Sequence, residues 1–174
     1  EHVRWKAPLT GTTGHSSPIV WGDRVFLTTA DKQTREQEKA KEIPAHHLVC
    51  YQASDGKLLW RTPIKPGKQV AGYAIYASPT PVLEGDRLYC HFGTYGTACL
   101  DTRTNKVLWT NRETKVMHEN GPGSSPVLWK NRLIFHCDGS DVQYVAALDT
   151  TTGKLAWKTD RSGKMNANAQ LKKS

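Results

Sequence analysis

Four cysteines and seven histidines are the side chains of this 174-residue chain best suited to metal binding or nucleophilic chemistry. Their spacing supports neither. Metal sites gather ligands at short fixed intervals such as C-x-x-C or H-x-x-x-H. Cys50, Cys90, Cys99 and Cys137 form no such pair, and His15, His91, His118 and His136 are scattered. His46 and His47 are adjacent, and neighbours on a strand point to opposite faces. No metal is expected. There is also no G-x-S-x-G elbow, phosphate-binding loop or dinucleotide fingerprint, so no residue is assigned a catalytic role. The formal charge of +8 suggests nucleic acid. However, the basic residues are dispersed and often have acidic neighbours, as in DKQTREQEKAKE at 31–42. The one unbalanced cluster is Lys158, Arg161, Lys164, Lys172 and Lys173. This pattern reads as a solvated surface. No 18-residue apolar run is present to span a membrane, and the opening EHVRWKAPL is not a signal peptide.

The elements that would position any site are written as a repeat. CYQASDGKLLW at 50–60, CLDTRTNKVLW at 99–109 and AALDTTTGKLAW at 146–157 align on Trp60, Trp109 and Trp157, 49 and 48 residues apart. A period of 40 to 50 residues marks a repeat architecture. Each copy reads as strand, turn, strand, with Gly56, Asn105 or Gly153 at the turn position, the residue types that tolerate a left-handed backbone. A second phrase also comes three times: Ser17-Pro18-Ile19-Val20 with Gly22-Asp23 and Arg24-Val25-Phe26-Leu27, then its counterparts from Thr80 and from Ser125. Each predicts a short hairpin whose first strand opens on proline. Together the phrases give four strands per unit, A to D, over 17–62, 79–111 and 124–159. Residues 1–9 read as the last strand of a preceding unit, and 160–174 as a connection to a further one. The B strands are apolar at consecutive positions, as in Val25-Phe26-Leu27, which fits sheets covered on both faces. The fold class is therefore all-β, a β-propeller of four-stranded antiparallel blades, as a partial ring of about three. A short helix is expected within 32–42, inside the insertion 30–47.

The phrase A-x-D-x-x-T-G-x-x-x-W, complete at Ala147–Trp157, resembles the tryptophan-docking motif of pyrroloquinoline-quinone (PQQ)-type propeller repeats. Quinoprotein dehydrogenases and the outer-membrane β-barrel assembly lipoprotein carry such repeats. Segments such as HFGTYGTACLD and NGPGSSP are most similar to secreted or periplasmic repeat proteins of this group. The resemblance implies an eight-bladed ring in which each docking tryptophan packs on the next blade, and a periplasmic or secreted location. Trp5, Trp60, Trp109 and Trp157 are read as these structural residues. Unit one departs from the motif, with Gln52 for the aspartate and Asp55 for the threonine, so its corner should be less regular. The dehydrogenases use a vicinal disulfide, a carboxylate base and calcium; no Cys-Cys pair is present here, and no catalytic residue is carried over.

Cys50 and Cys99 share a repeat position with Ala147, which suits a small packed residue. If Gly93-Thr94-Tyr95-Gly96 closes a hairpin, Phe92 faces Thr97 and Cys90 faces Cys99. A disulfide and a pair of buried thiols both fit that arrangement.

In an antiparallel meander the A–B and C–D turns share one face, and the B–C and D–A connections share the other. Every A–B and C–D turn is short, whereas 30–47, 63–78, 111–123 and 137–143 are long. Elaboration on one face of a repeat scaffold is where binding usually resides. The D–A loops lead to the innermost strand, and they supply the candidate binding residues Tyr73, Tyr76, His118, Glu119 and Asn120, with His15 in the first. The expected function is a non-catalytic scaffold binding a protein, peptide or glycan through this face, with no cofactor. The alternative is a piece of a quinone-dependent oxidoreductase using PQQ and calcium. Three blades do not close a ring. Further blades, or self-association through open blade edges, are expected to cover the ends.

Overall fold

The computed structural model describes residues 2–9, 11–40, 42–64, 77–117 and 121–161. Three antiparallel sheets follow one another along the chain. The first contains β1 (Thr12–Thr13), β2 (Ile19–Trp21), β3 (Arg24–Asp31), β4 (His46–Gln52) and β5 (Leu58–Ile64). The second runs β6 (Val82–Glu84), β7 (Arg87–His91), β8 (Thr97–Asp101) and β9 (Lys106–Asn111). The third runs β10 (Val127–Trp129), β11 (Arg132–Asp138), β12 (Gln143–Asp149) and β13 (Leu155–Asp160). The last two are simple four-stranded meanders in chain order, and the first adds β1 beside β3. The one α-helix among the described residues, α1 (Arg35–Lys39), falls inside the charged insertion.

The two-residue side-chain period explains the stacking. On β7 and β8, Leu88, Cys90, Ala98 and Leu100 join Phe26, Leu48 and Cys50 of the first sheet in one core. The alternate residues Tyr89 and Cys99 join Leu133, Phe135, Tyr144 and Leu148 of the third sheet in a second core. The middle sheet is thus buried on both faces, which is why its B and C strands are apolar without alternation.

Polar contacts at the corners fix the stacking geometry. The Trp109 indole N–H donates to Thr150 O at 3.0 Å, and Arg87 reaches the same carbonyl at 3.5 Å. Asn111, two residues after the tryptophan, donates to Gly153 O at 2.8 Å. A Cβ on Gly153 would lie 2.4 Å from the Trp109 ring. One step earlier, Arg24 donates to Thr102 O at 2.8 Å, and the Thr62 hydroxyl donates to Asn105 Oδ1. Trp5 repeats the contact on the first sheet: its indole donates to Ala53 O at 2.8 Å, and its ring lies 2.4 Å from where a Gly56 Cβ would stand. Residues 2–9 form no strand, because among the described residues they have no ladder partner.

Two expectations are corrected. The corner of unit one is as regular as the others in its backbone. Gly56 N–H bonds Gln52 O at 3.0 Å, as Asn105 bonds Asp101 O and Gly153 bonds Asp149 O at 2.8 Å. Only the side-chain bonds differ. Asp101 and Asp149 each accept two turn N–H groups, whereas Gln52 turns to Asp23 and Asp55 accepts from Lys57 N–H. The backbone turn needs the left-handed residue, here with φ of 73°, 58° and 71° at Gly56, Asn105 and Gly153; the aspartate only supports it.

The second correction concerns Cys90 and Cys99. The register pairs Cys90 with Ala98 and Tyr89 with Cys99. A 3-10 turn at Gly93–Tyr95, closed by Phe92 N–H to Gly96 O at 2.8 Å, sets His91 opposite Thr97. A one-residue slip sends side chains to opposite faces. Cys90 therefore faces the first sheet and Cys99 the third, and all four cysteines are free and buried. Burial pushes the thiols of Cys50, Cys99 and Cys137 up to about 11, about 12 and about 11. Ellman's reagent should detect four thiols per chain in denaturant and almost none in the native protein. Two thiols in denaturant without reductant would restore the disulfide.

Two glycine replacements isolate the tryptophan contact. Gly85 (φ 57°) and Gly153 (φ 71°) are both left-handed, but a Cβ at Gly85 meets open space. Gly85→Ala should cost about 1 kcal/mol from backbone strain alone. Gly153→Ala should cost about 2 kcal/mol more, because the indole must also move. Urea unfolding checks the difference, and equal costs would mean that the Trp109 contact contributes little.

Candidate functional site

The innermost strands place the candidate face. Ser17 N–H donates to Thr80 Oγ1 at 3.3 Å, and Thr80 N–H donates to Ser125 Oγ at 2.9 Å. The Ser/Thr of each Ser/Thr-Pro phrase thus links one inner strand to the next. Proline has no N–H to give the ladder, and the hydroxyl before it makes the lateral bond. This link was not foreseen from sequence, although the repeated hydroxyl was its signal. One residue earlier, Ser16 Oγ accepts Thr28 N–H at 3.3 Å and Ser124 Oγ accepts His136 N–H at 3.1 Å, fastening strand A to strand B.

Of the residues expected to form the site, His15 is described. It is exposed, just before the first inner strand. The N–H groups of His15 and Ser16 both bond Ala77 O, at 3.0 and 3.1 Å. His15 therefore stands where the first long D–A connection re-enters the fold. Tyr73, Tyr76, His118, Glu119 and Asn120 lie outside the described residues. The residues flanking the second D–A connection are tied to the third sheet: Met117 N–H donates to Asp141 Oδ1 at 2.7 Å, and Ser140 N–H donates to Met117 O at 3.0 Å.

The same end of the first sheet holds a polar cluster that sequence reasoning did not assemble. Nε2 of His47 lies 3.1 Å from Asp31 Oδ1, and the Arg61 guanidinium pairs with the same oxygen. A carboxylate only accepts, so Nε2 carries the hydrogen and neutral His47 presents a bare Nδ1. Nδ1 is buried with no partner among the described residues. Its cross-strand neighbour Thr29 likewise has a buried Oγ1 with none. Adjacent His46 points the other way, as strand geometry requires. It packs edge-on to Phe92 with centroids 4.7 Å apart and lies 5.1 Å from Tyr95. In the second interface His91 stacks on Phe135 at 4.0 Å and bonds Thr97 at 2.9 Å. The pairing of His47 with Asp31 and Arg61 joins three strands and depends on register, so no local motif signals it.

Burial lowers the pKa of His47, and Arg61 lowers it further, against an opposing hydrogen bond to Asp31. The folded state therefore holds fewer protons on this ring than the unfolded chain. The stability this contributes is present above the unfolded value near 6.5 and is lost as pH falls below it. Stability measured from pH 7.5 down to pH 5 should decline, and His47→Gln should flatten that decline. An unchanged slope in the variant would place the titration elsewhere.

Among the described residues no three His, Cys, Asp or Glu side chains gather as a metal site, and no helix is long and apolar enough to cross a membrane. A sequence profile of the family described as outer membrane protein assembly factor BamB matches residues 44–172.

The chain belongs to that family.

It is 27% identical over 161 residues to quinohemoprotein alcohol dehydrogenase ADH IIB of Pseudomonas putida, covering 90% of this chain and 21% of the relative. Two solved structures share the fold. A europium-containing methanol dehydrogenase superposes with a TM-score of 0.63 at 15% identity, over 88% of this chain and 26% of that one. BamB of Moraxella catarrhalis superposes with a TM-score of 0.57 at 16% identity, over 90% and 39%. The chain thus spans well under half the length of each of these relatives. The sheets are those of a partial β-propeller built from PQQ-type repeats, a repeat family shared by BamB and the quinoprotein dehydrogenases.

Proposed function

We propose that this chain is part of a periplasmic or secreted propeller scaffold that binds a protein partner through its long-loop face. The observation that carries this reading is the asymmetry of the sheets. The A–B and C–D corners are occupied by intersheet contacts, with Thr102 O and Thr150 O taken up by neighbouring arginine and tryptophan side chains. The opposite face carries the long connections 30–47, 63–78 and 111–123. The membership of an outer-membrane assembly factor family supports a protein partner, in the first instance a component of outer-membrane protein assembly. His15, Tyr73, Tyr76, His118, Glu119 and Asn120 are the proposed contact residues, and the repeated tryptophans the proposed anchors between blades.

Site-specific photo-crosslinking in cells tests the face. A photoreactive residue at position 15, 73, 76 or 118 should give discrete protein adducts, whereas one at Lys130 or Lys154, in the short turns, should give none. Adducts from the short turns alone would reverse the assignment.

A second reading rests on the identity to the quinohemoprotein alcohol dehydrogenase, which exceeds that to either solved structure named above. On that reading this stretch is one wall of a quinone enzyme. It requires a quinone and a cation, yet the described residues contain no acidic cluster to hold the cation. Incubation with PQQ and calcium, followed by desalting, an absorbance scan and a dye-linked alcohol assay, distinguishes the two. The scaffold reading expects neither retained quinone absorbance nor activity, and both together would favour the enzyme.

A further inference from the structure

We propose that the short-turn end of the three sheets is a peripheral membrane-binding face that rests on an anionic phospholipid bilayer. This goes beyond the protein-partner reading and is independent of it. The long connections lie at the other end of the sheets, and lipid at the short turns gives no protein adduct there.

The face is continuous because its turns are bonded to one another. Within each sheet the C–D turn hangs on the A–B turn. Ala53 N–H donates to Asp23 O at 2.7 Å, Thr102 N–H to Asp86 O at 2.8 Å, and Thr150 N–H to Asn131 O at 3.2 Å. Between sheets, Arg24 donates to Thr102 O and Arg87 to Thr150 O. The turns of all three sheets are thus tied in one row. Every A–B turn has two residues between its strands, so none stands far above the others.

The carbonyls of this row are used in holding the sheets together, and a different set of groups projects from it. Trp21 and Trp129 close the first and third inner strands and are 58% and 59% exposed. Trp21 shares a strand face with Ile19, which packs towards the second sheet. Trp129 has the same phase on a sheet with no further sheet beyond it among the described residues. Equal exposure in the two settings means that a neighbouring sheet does not cover this position. The outer edge repeats the observation: Val107 and Leu108 are 40% and 47% exposed on the middle sheet, which is packed on both faces. These apolar side chains are exposed by their place at the turns, not by want of a neighbour. Each is accompanied by a lysine. Lys130 follows Trp129 with its Nζ 4.6 Å from the ring centroid, and Lys106 precedes Val107, as Lys57 precedes Leu58 and Lys154 precedes Leu155.

These lysines are the free charges of the end. Arg103 pairs with Asp86 and Arg132 with Asp149, each at 3.1 Å, and Asp101 and Asp149 also accept turn N–H groups. Lys57, Lys106, Lys130 and Lys154 are exposed and have no ion-pair partner among the described residues. They outnumber Asp55 and Glu84, the carboxylates of this end that are likewise outside any ion pair there. An indole, apolar in body and polar at its N–H, settles at the boundary of headgroups and acyl chains. A lysine lays its stem along apolar surface while its ammonium stays at the phosphates, and anionic lipid within a Debye length attracts it. Indoles, aliphatic side chains and unpaired lysines at one level need a partner with an apolar layer under an anionic one. A bilayer offers both across the whole row, whereas a folded protein would have to repeat them at the spacing of the sheets.

The test is co-sedimentation of the folded chain with vesicles of phosphatidylcholine alone, or of equal parts phosphatidylcholine and phosphatidylglycerol. The protein should pellet with the anionic vesicles only, and added salt should release it. Lys106→Glu with Lys154→Glu should weaken this binding about twentyfold, at roughly fivefold for each lysine lost. Lys32→Glu with Lys115→Glu, the same charge change at the long-loop end, should weaken it far less. Acyl chains brominated close to the headgroup should quench tryptophan fluorescence, and Trp21→Phe with Trp129→Phe should remove most of that quenching. All these side chains are exposed, so the variants should keep the wild-type melting temperature. No pelleting with the anionic vesicles, equal pelleting with the neutral ones, or equal loss from the two lysine pairs would overturn the proposal. So would quenching unchanged in the tryptophan variant, which would put the contact on another face. If a lysine variant does not fold, the quenching decides alone. Loss of the protein crosslinks from position 15 would leave the vesicle binding unaffected, so the two readings fail separately.

Discussion

The contact between a tryptophan ring and the left-handed turn residue of the next sheet is the constraint on which the rest of this structure depends. A β-sheet covered on both faces has few ways to fix its distance and angle to its neighbours, because apolar packing is non-directional. The Trp109 indole adds direction. Its ring occupies the space a Cβ would take at Gly153, and its N–H is fixed to Thr150 O. The requirement is mutual: the turn needs a residue that tolerates positive φ, and the ring needs that residue to have little or no side chain. Gly56 and Gly153 meet both demands against Trp5 and Trp109, whereas Asn105 meets the first and accepts the Thr62 hydroxyl instead.

The consequence reaches the opposite end of each sheet. With the corners fixed, the inner strands come close enough for Ser17, Thr80 and Ser125 to bond in series. The long connections then emerge side by side. His15 beside Ala77, and Met117 beside Ser140 and Asp141, are the visible results. The corner end of each sheet is thus used for assembly. Beside the split inner strand of the first sheet, Thr29 Oγ1 and His47 Nδ1 are buried without a partner among the described residues.

The repeat architecture was legible in the chain because each part of it is local or periodic. The strand–turn–strand phrases, the tryptophan spacing and the short turns all translate directly into sheets. Lys130 shows a finer point: it takes φ of 51° where the other two units have glycine at 58° and 57°, so the turn geometry tolerates a side chain at some strain. What sequence could not supply was register. The 3-10 turn after Phe92 moved Cys90 from opposite Cys99 to opposite Ala98, and periodicity carries no information about such a shift. The site was less legible for the same reason. His47, Asp31 and Arg61 come from three strands of one sheet and meet only through the ladder, while the Ser/Thr-Pro hydroxyls bond between sheets. Neither is a motif along the chain.

The central claim is that the sheets are separate units joined through the tryptophan corner. Native-state hydrogen exchange on Trp109→Ala tests it most directly. With Trp109 truncated, the amides of β10 to β13 should lose protection together, while those of β3, β4 and β5 keep theirs, because the third sheet opens as a unit once its corner contact is gone. A uniform loss across all three sheets, or no change in any, would contradict the account.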